Sequence, residues 1–188
     1  MEEQELIRRA QEGDPDAFST LARAHRNSLI QVAYGFLHDR EEAMDAAQEV
    51  FLKAYRKIHL FKNQSSLYTW LYRIMINHCK DRLRSRKRTA AVSMDAWKDE
   101  GSLFEIADPS GNPSQIADQR EREKIVKEAM DLLPEKHKKV LLLRELGGLS
   151  YKEISQVLKC REGTVMSRLF HARKMLAGEL ESLFKENL

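Results

Sequence analysis

The chain has 188 residues, 42% of them hydrophobic, which suffices for one domain or two small ones with real hydrophobic cores. Its formal net charge is only +3, and its two cysteines, Cys79 and Cys160, lie far apart, which argues against a paired-cysteine metal site. No apolar run approaches the length of a bilayer span and the charged start does not resemble a signal peptide, so we expect a soluble, cytoplasmic protein without membrane insertion.

Helical apolar spacing extends through residues 1–88, and no segment alternates with the period of two that a strand requires. The first clear helix is predicted to open at residues 13–16 and to break at residues 38–40. A second is predicted over residues 41–58 and, after a short polar loop, a third over residues 67–86. The pattern therefore predicts an all-α N-terminal domain.

The second predicted helix presents an acidic and amide stripe beside an apolar edge. Asp45, Gln48 and Glu49 lie on adjacent faces with Leu52. Such a stripe does not favour binding to DNA. Two interpretations remain open at this point: a protein partner with basic side chains, or an ordinary solvated helix face.

The third predicted helix becomes strongly basic, because residues 70–88 hold seven Lys and Arg against one acid. Such a concentration attracts a polyanion through counterion release, whereas the helix macrodipole accounts only for the cations of the last turn. Aromatic residues precede the block, among them Trp70. They suit two roles that the pattern does not separate: stacking on unpaired bases and packing in a core.

Helical regularity breaks over residues 89–119, which hold six acids, one base and several Gly, Pro and Ser residues. We expect a flexible acidic linker here, with helices resuming at Arg120. The fold prediction is therefore all-α, with two small helical domains, residues 1–88 and 120–188, joined by this linker.

The C-terminal domain ends in a helix-turn-helix pattern. Ser150 and Glu153 form a capping box at the start of one helix, and residues 159–161 break the chain before the next. Apolar residues then recur at helical spacing: Val165, Leu169, Ala172 and Leu176.

The outer face of this last helix has the composition of a DNA reader. Phe170 and Met166 accompany Ser167, His171 and Lys174. An apolar side chain meets the thymine methyl, while hydroxyl, imidazole and cationic groups bind base edges and phosphates. The alternative is that Phe170 and Met166 pack on another domain.

Three groups of segments, in this order, resemble the extracytoplasmic-function (group four) sigma factors of bacterial RNA polymerase, in the sigma-70 family. The first is residues 45–51. The second is residues 61–66 with residues 69–74, Asn77 and residues 81–84. The third combines residues 132–134, 149–154 and 163–169. The resemblance covers almost the whole chain.

This resemblance implies a protein without catalytic chemistry, cofactor or metal that binds core polymerase and directs promoter-specific transcription initiation. Residues 1–88 would bind polymerase and read and melt the minus-ten element, and residues 120–188 would read the minus-thirty-five element. The linker, residues 89–119, would thread the RNA exit path. The implied partners are the clamp helices of the largest polymerase subunit, the flap of the second-largest, promoter DNA and an anti-sigma factor.

By the same resemblance, individual residues take three roles, with Phe61, Lys62 and Asn77 holding the extruded minus-ten base. The polymerase-binding residues are Asp45, Gln48, Glu49 and Phe51. The minus-ten residues are Phe61, Lys62, Asn63, Ser65, Trp70, Arg73, Asn77, Lys80, Arg82 and Arg84. The minus-thirty-five residues are Thr164, Met166, Ser167, Arg168, Phe170, His171, Arg173 and Lys174.

The chain departs from the family pattern at Met44, Leu67, Met166 and His171, which suggests a promoter preference of its own. The alternative function is a stand-alone helix-turn-helix regulator, which would leave the basic and aromatic segment unexplained. An enzyme is not indicated, because the six histidines show no ligand pairing and no nucleophile elbow or phosphate loop occurs.

Overall fold

The computed structural model describes residues 3–90 and 113–186, and every regular element in those ranges is helical. The centre of the predicted linker, residues 91–112, lies outside them. Residues 3–90 form α1 (Glu3–Gln11), α2 (Pro15–Leu37), α3 (Arg40–Lys57), a 3-10 turn (Ile58–Leu60) and α4 (Leu67–Ala90). Residues 113–186 form α5 (Pro113–Leu132), α6 (Glu135–Leu141), a π-helical turn (Leu142–Leu146), α7 (Tyr151–Leu158) and α8 (Glu162–Glu186). The predicted all-α class is confirmed.

Local capping chemistry explains why several helix ends lie where the sequence places them. Asp14 accepts hydrogen bonds from two amides in the first turn of α2, and Pro15 fills its first position. His38 ends α2 in the left-handed conformation, with φ at 58°. Ser150 and Glu153 form the predicted capping box of α7, with both reciprocal hydrogen bonds present.

Two helix starts differ from the sequence prediction. α1 precedes the first helix that the apolar spacing predicts, and although six of its nine residues are polar or charged it buries Ile7 and Ala10. α5 begins at Pro113 instead of Arg120. Proline suits the first turn of a helix, since its missing amide would have no partner there and its φ is already helical.

One continuous hydrophobic core extends through both halves of the described chain. α2, α3 and α4 pack around the fully buried Leu29, Val50 and Tyr72, and α6, α7 and α8 pack around Ile154 and Leu169. In addition, α4 packs against α7, and α2 packs against the π-helical turn after α6. The two halves therefore touch each other directly in this structure.

Candidate functional site

A groove of about 780 Å³ lies between α2 and α3, and α3 contributes its acidic and amide stripe to it. Asp45 and Gln48 are exposed beside the groove, and Phe51 is half-buried in its lining. On the α2 side, Arg23 and Arg26 are exposed. Three large apolar side chains that line the groove are also exposed: Met44, Leu52 and Tyr55. Exposed apolar groups framed by both signs of charge are typical of a surface that docks another protein. We refer to this surface as the α2–α3 groove.

Glu49 behaves differently from Asp45, because its carboxylate joins α3 to α4. It accepts a hydrogen bond from Arg82 at 3.0 Å and lies within 4 Å of Lys53 and His78. Partial burial raises the pKa of Glu49, but the Arg82 hydrogen bond and the neighbouring cations outweigh it and hold that pKa below its ordinary value. Burial also lowers the pKa of His78, whose Nδ1 accepts a hydrogen bond from Lys53 at 2.8 Å. Glu49 is therefore a cross-link within the N-terminal half as well as a predicted polymerase contact.

We predict that Glu49→Lys lowers the free energy of unfolding by about 1–2 kcal/mol. The variant replaces an ion pair with a third positive group beside Lys53 and Arg82, so like charges repel across the α3–α4 contact. Urea unfolding followed by circular dichroism measures the effect. Asp45→Lys, the same charge change on the same helix at an exposed position, is the control and should unfold as the wild type does. Equal stability of the two variants would contradict a structural role for Glu49.

Phe61, predicted to hold an extruded base, is buried in the core. Its side chain is only 6% exposed, and its ring packs against Trp70 with centroids 5.4 Å apart. The Gln11 side chain fixes the backbone at this point by donating to the carbonyl oxygen of Phe61 at 2.8 Å. The ring is therefore unavailable to a base in this arrangement. Its neighbours Lys62 and Asn63 are exposed and remain accessible to a ligand.

The basic block of α4 divides into two groups. Arg82 and Arg86 face α3, and both form ion pairs with Glu42. Arg82 also forms an ion pair with Glu49. Arg86 donates a hydrogen bond to the carbonyl oxygen of Leu37 at 3.1 Å. These cations hold the N-terminal half together. The exposed polar and charged residues among the described side chains of α4 are Asn77, Lys80, Asp81, Arg84, Ser85 and Arg88. Among the described side chains of α4, the exposed cations are Lys80, Arg84 and Arg88, and these present positive surface to a polyanion.

The outward face of α8 has the geometry that the sequence predicts. Val165, Leu169 and Ala172 are buried against the rest of the helix-turn-helix, whereas Phe170 and Met166 are 67% and 54% exposed. The other exposed residues of this face are Ser167, His171, Arg173 and Lys174, and Thr164 and Arg168 are half-buried. A large aromatic side chain held in water on a rigid helix has no folding role, so this face is available to DNA bases.

Three further observations concern metal binding, thiol reactivity and membrane spanning in the described part of the chain. Within residues 3–90 and 113–186 no group of three or more His, Cys, Asp or Glu residues is placed to hold a metal ion. Cys79 is buried, which raises the pKa of its thiol to about 12 and leaves little reactive thiolate at neutral pH. None of the helices in the described part of the chain could cross a bilayer.

Comparison with known protein families gives two matches that together cover most of the helical sequence. Residues 21–89 match the family Sigma-70 region 2. Residues 123–176 match the family Sigma-70, region 4. The α2–α3 groove and α4 lie in the first match, and the helix-turn-helix lies in the second.

Several characterised proteins are similar along their whole length. The RNA polymerase sigma-H factor of Pseudomonas aeruginosa is 38% identical, over 98% of this chain and 97% of its own. The ECF RNA polymerase sigma-E factor of Haemophilus influenzae is 36% identical, over 96% of each chain. The Escherichia coli sigma-E factor is 33% identical, over 97% of this chain and 96% of its own.

Two solved structures share the fold. CnrH, in complex with the cytosolic domain of CnrY, superposes with a TM-score of 0.71 at 21% identity, covering 94% of this chain and 96% of CnrH. The sigma factor RpoE of Bartonella quintana, in complex with the anti-sigma factor NepR, gives a TM-score of 0.69 at 24% identity, covering 87% of this chain and 96% of RpoE. At these identities the likeness establishes the fold.

Proposed function

The chain belongs to the extracytoplasmic-function sigma factors of the sigma-70 family, and on that premise we propose which of its surfaces carries out each step of promoter-specific transcription initiation. Residues 1–88 bind core polymerase and open the minus-ten element, and residues 120–188 read the minus-thirty-five element. Residues 89–119 connect the two domains. The chemistry of RNA synthesis belongs to the polymerase, and this protein acts by binding, in the cytoplasm where polymerase and promoter DNA are found.

The α2–α3 groove is the surface that we assign to core polymerase. Its exposed Leu52 and Tyr55 give an apolar contact, and Asp45 and Gln48 supply a charge and an amide beside it. A helical hairpin with basic residues, such as the clamp helices of the largest polymerase subunit, complements this combination. This groove is the single observation that most favours a polymerase subunit, because a protein that only reads DNA has no use for it.

The loop before α4 and the exposed edge of α4 are the surfaces that we assign to the minus-ten element. Lys62 and Asn63 project from the loop, and Asn77, Lys80 and Arg84 from the helix. Amide groups suit the edge of an unpaired base, and the cations suit the phosphates beside it. Trp70 is half-buried and offers a stacking surface, a contact worth roughly 1–3 kcal/mol per base. Arg82 acts in this assignment mainly by holding α4 against α3.

The outward face of α8 is assigned to the minus-thirty-five element in the major groove. Phe170 and Met166 meet thymine methyl groups, while Ser167, His171 and Lys174 bind base edges and phosphates.

We also propose that an anti-sigma factor binds the protein when it is inactive, because RpoE, which shares its fold, was crystallised in complex with one.

Run-off transcription with purified core polymerase tests this function. Genomic fragments transcribed by core enzyme together with this chain should give transcripts from a small set of start sites, and neither component alone should give them.

The second candidate function, a stand-alone regulator, rests on the exposed face of α8. It predicts footprints on DNA without polymerase and no stable complex with core enzyme, and that pair of results would refute the sigma-factor assignment.

A further inference from the structure

A second concave surface lies between α4 and the helices of the C-terminal half. It is a cleft of about 460 Å³, and α4, α6, the end of α7 and α8 all contribute to its lining. Six of the lining residues are cations: Arg73, Lys80, Lys136, Lys139, Lys159 and Arg168. Among the described residues that line it there is a single acid, Glu135. We refer to this surface as the cationic cleft.

The positive charge of the cationic cleft is not balanced by ion pairs within the fold. Lys139 pairs with Glu135. Four of the other cations form no ion pair with any acid whose side chain the structure describes: Lys80, Lys136, Lys159 and Arg168. The carbonyl end of α7 adds about half a negative charge beside Lys159, which balances only a fraction of one cation. Most of the positive charge therefore remains, and like charges drawn together from four elements repel one another.

Arg73 holds a fixed position at the wall of the cleft. One of its terminal nitrogens, Nη2, donates to the carbonyl oxygen of Gln156 in α7 at 3.2 Å. Its Nε is buried and has no hydrogen-bond partner among the described residues. A buried polar group of this kind is rare in a native fold, because leaving its hydrogen bond unmade costs free energy. The fold thus uses only part of this guanidinium, whose planar set of donors matches the oxygens of a phosphate.

Part of the lining of the cleft is apolar. Ile76 and Val157 are buried there, and Leu158 beside them is half-buried. The exposed side chain of Asn77 adds an amide to the same lining. The volume lies within the range of roughly 300–1,000 Å³ that small-molecule sites occupy, and such sites combine apolar surface with a few polar groups. The cleft therefore has room for a ligand that carries several charges and, beside them, a flat ring.

The size and the charge of the cleft together select the kind of anion. Its volume of about 460 Å³ is that of a cube with edges of about 8 Å, narrower than the major groove of B-form DNA at roughly 12 Å, so a duplex does not enter it. A carboxylate brings a single negative charge, whereas a terminal phosphate brings roughly 1.5 to 2 at pH 7, and linked phosphates add more in little extra volume. Linked phosphates therefore neutralise most of the positive charge within the space that the cleft offers.

We propose that the cationic cleft binds a small oligophosphate, either a nucleoside polyphosphate or an inorganic chain of linked phosphates. Arg73 and the lysines of the lining bind its phosphates, and the site itself requires no assumption about transcription. One consequence rests on the proposed function, because Asn77 and Lys80 are also assigned to the minus-ten element. A bound oligophosphate then competes with promoter DNA for these two side chains.

Isothermal titration calorimetry of the full chain with tripolyphosphate and with ATP tests the site, at about 50 mM salt and without divalent metal. Both probes should bind at one site per chain with a Kd of about 10–100 μM. Inorganic phosphate should bind at least about thirtyfold more weakly, because it brings one phosphate to a cleft that holds several cations. Raising the salt should weaken binding of both probes.

A double variant, Lys136→Gln with Lys159→Gln, removes two cations of the cleft and should weaken tripolyphosphate binding at least about tenfold. Neither lysine is assigned to DNA or polymerase. The matched control is Lys57→Gln with Lys152→Gln, which removes the same charge from two exposed lysines that do not line the cleft. It should bind tripolyphosphate as the wild type does. Circular dichroism establishes that both double variants are folded.

The two probes also distinguish the two sources of linked phosphates. Tighter binding of ATP than of tripolyphosphate would identify a nucleoside polyphosphate, because only its base has a use for the apolar lining at Ile76 and Val157. Equal or weaker binding of ATP would identify the inorganic chain.

Three results would overturn the site: no saturable binding of either probe below about 1 mM, an equal loss in the two double variants, or a matching loss of affinity for single-stranded DNA. The last is measured by fluorescence anisotropy with a labelled 20-nucleotide strand, which the cleft variant should bind within about twofold of the wild type. A matching loss would show that the cleft is a path for nucleic acid. A chain that binds tripolyphosphate as described, yet never supports run-off transcription, would refute the proposed function and leave the site standing.

Discussion

Asp45→Lys is expected to weaken binding to core polymerase about thirty-fold, a loss of about 2 kcal/mol, and to reduce run-off transcription accordingly. Asp45 is exposed on α3 beside the apolar part of the α2–α3 groove. A basic partner would face the new lysine with like charge across a contact from which water is partly excluded. Titration of fluorescently labelled chain with core enzyme measures the affinity directly.

The control for this variant is Glu181→Lys, which makes the same change of charge at a side chain 70% exposed near the end of α8. It removes only a surface ion pair with Lys185, worth less than about 1 kcal/mol, and should bind polymerase as the wild type does. Both variants should keep the wild-type circular dichroism spectrum. If Asp45→Lys bound core enzyme as tightly as Glu181→Lys, the α2–α3 groove would not be the polymerase surface.

The elements that the sequence predicts well are those decided by nearby residues. Asp14 with Pro15, and Ser150 with Glu153, mark helix starts because a cap and the amides that it satisfies lie within three positions of each other. The outward face of α8 is predicted for the same reason. Helical spacing alone separates the buried Leu169 from the exposed Phe170.

The contact between the two halves could not be predicted in this way. Apolar spacing shows that a helix face is buried, but it does not show which of several similar faces covers it. Gly35 and Leu142 are more than a hundred positions apart, and neither carries a signal that names the other. The same holds for Phe61, which the family resemblance gives to an extruded base and which is buried in the core against Trp70.

Glu49 and Arg82 show a different limit, since a charged residue can serve a partner or its own fold. Glu42 and Glu49 are seven positions apart, two turns along one face of α3, and Arg82 and Arg86 are four apart on α4. This complementary spacing is a signal of paired helices. It becomes recognisable only once α3 and α4 are known to be neighbours, because single-helix patterns of this kind are also common on solvated surfaces.

Phe170→Ala is expected to weaken occupancy of the minus-thirty-five element by about 1–3 kcal/mol, roughly five-fold to more than a hundred-fold, with no loss of folding stability. The ring is 67% exposed and leaves no cavity when removed, so its truncation costs only the contact with DNA. Phe184→Ala is the matched control, because it removes a 43% exposed ring from the same helix, four turns beyond the reading face. Footprinting of holoenzyme on a mapped promoter measures the occupancy of both variants.

The loss of Phe170 should also relax the preference among minus-thirty-five sequences, because its side chain faces the bases. Loss of a phosphate contact such as Lys174 would instead weaken binding to all sequences alike. A Phe170→Ala variant with unchanged occupancy and unchanged preference would show that α8 reads DNA through other residues.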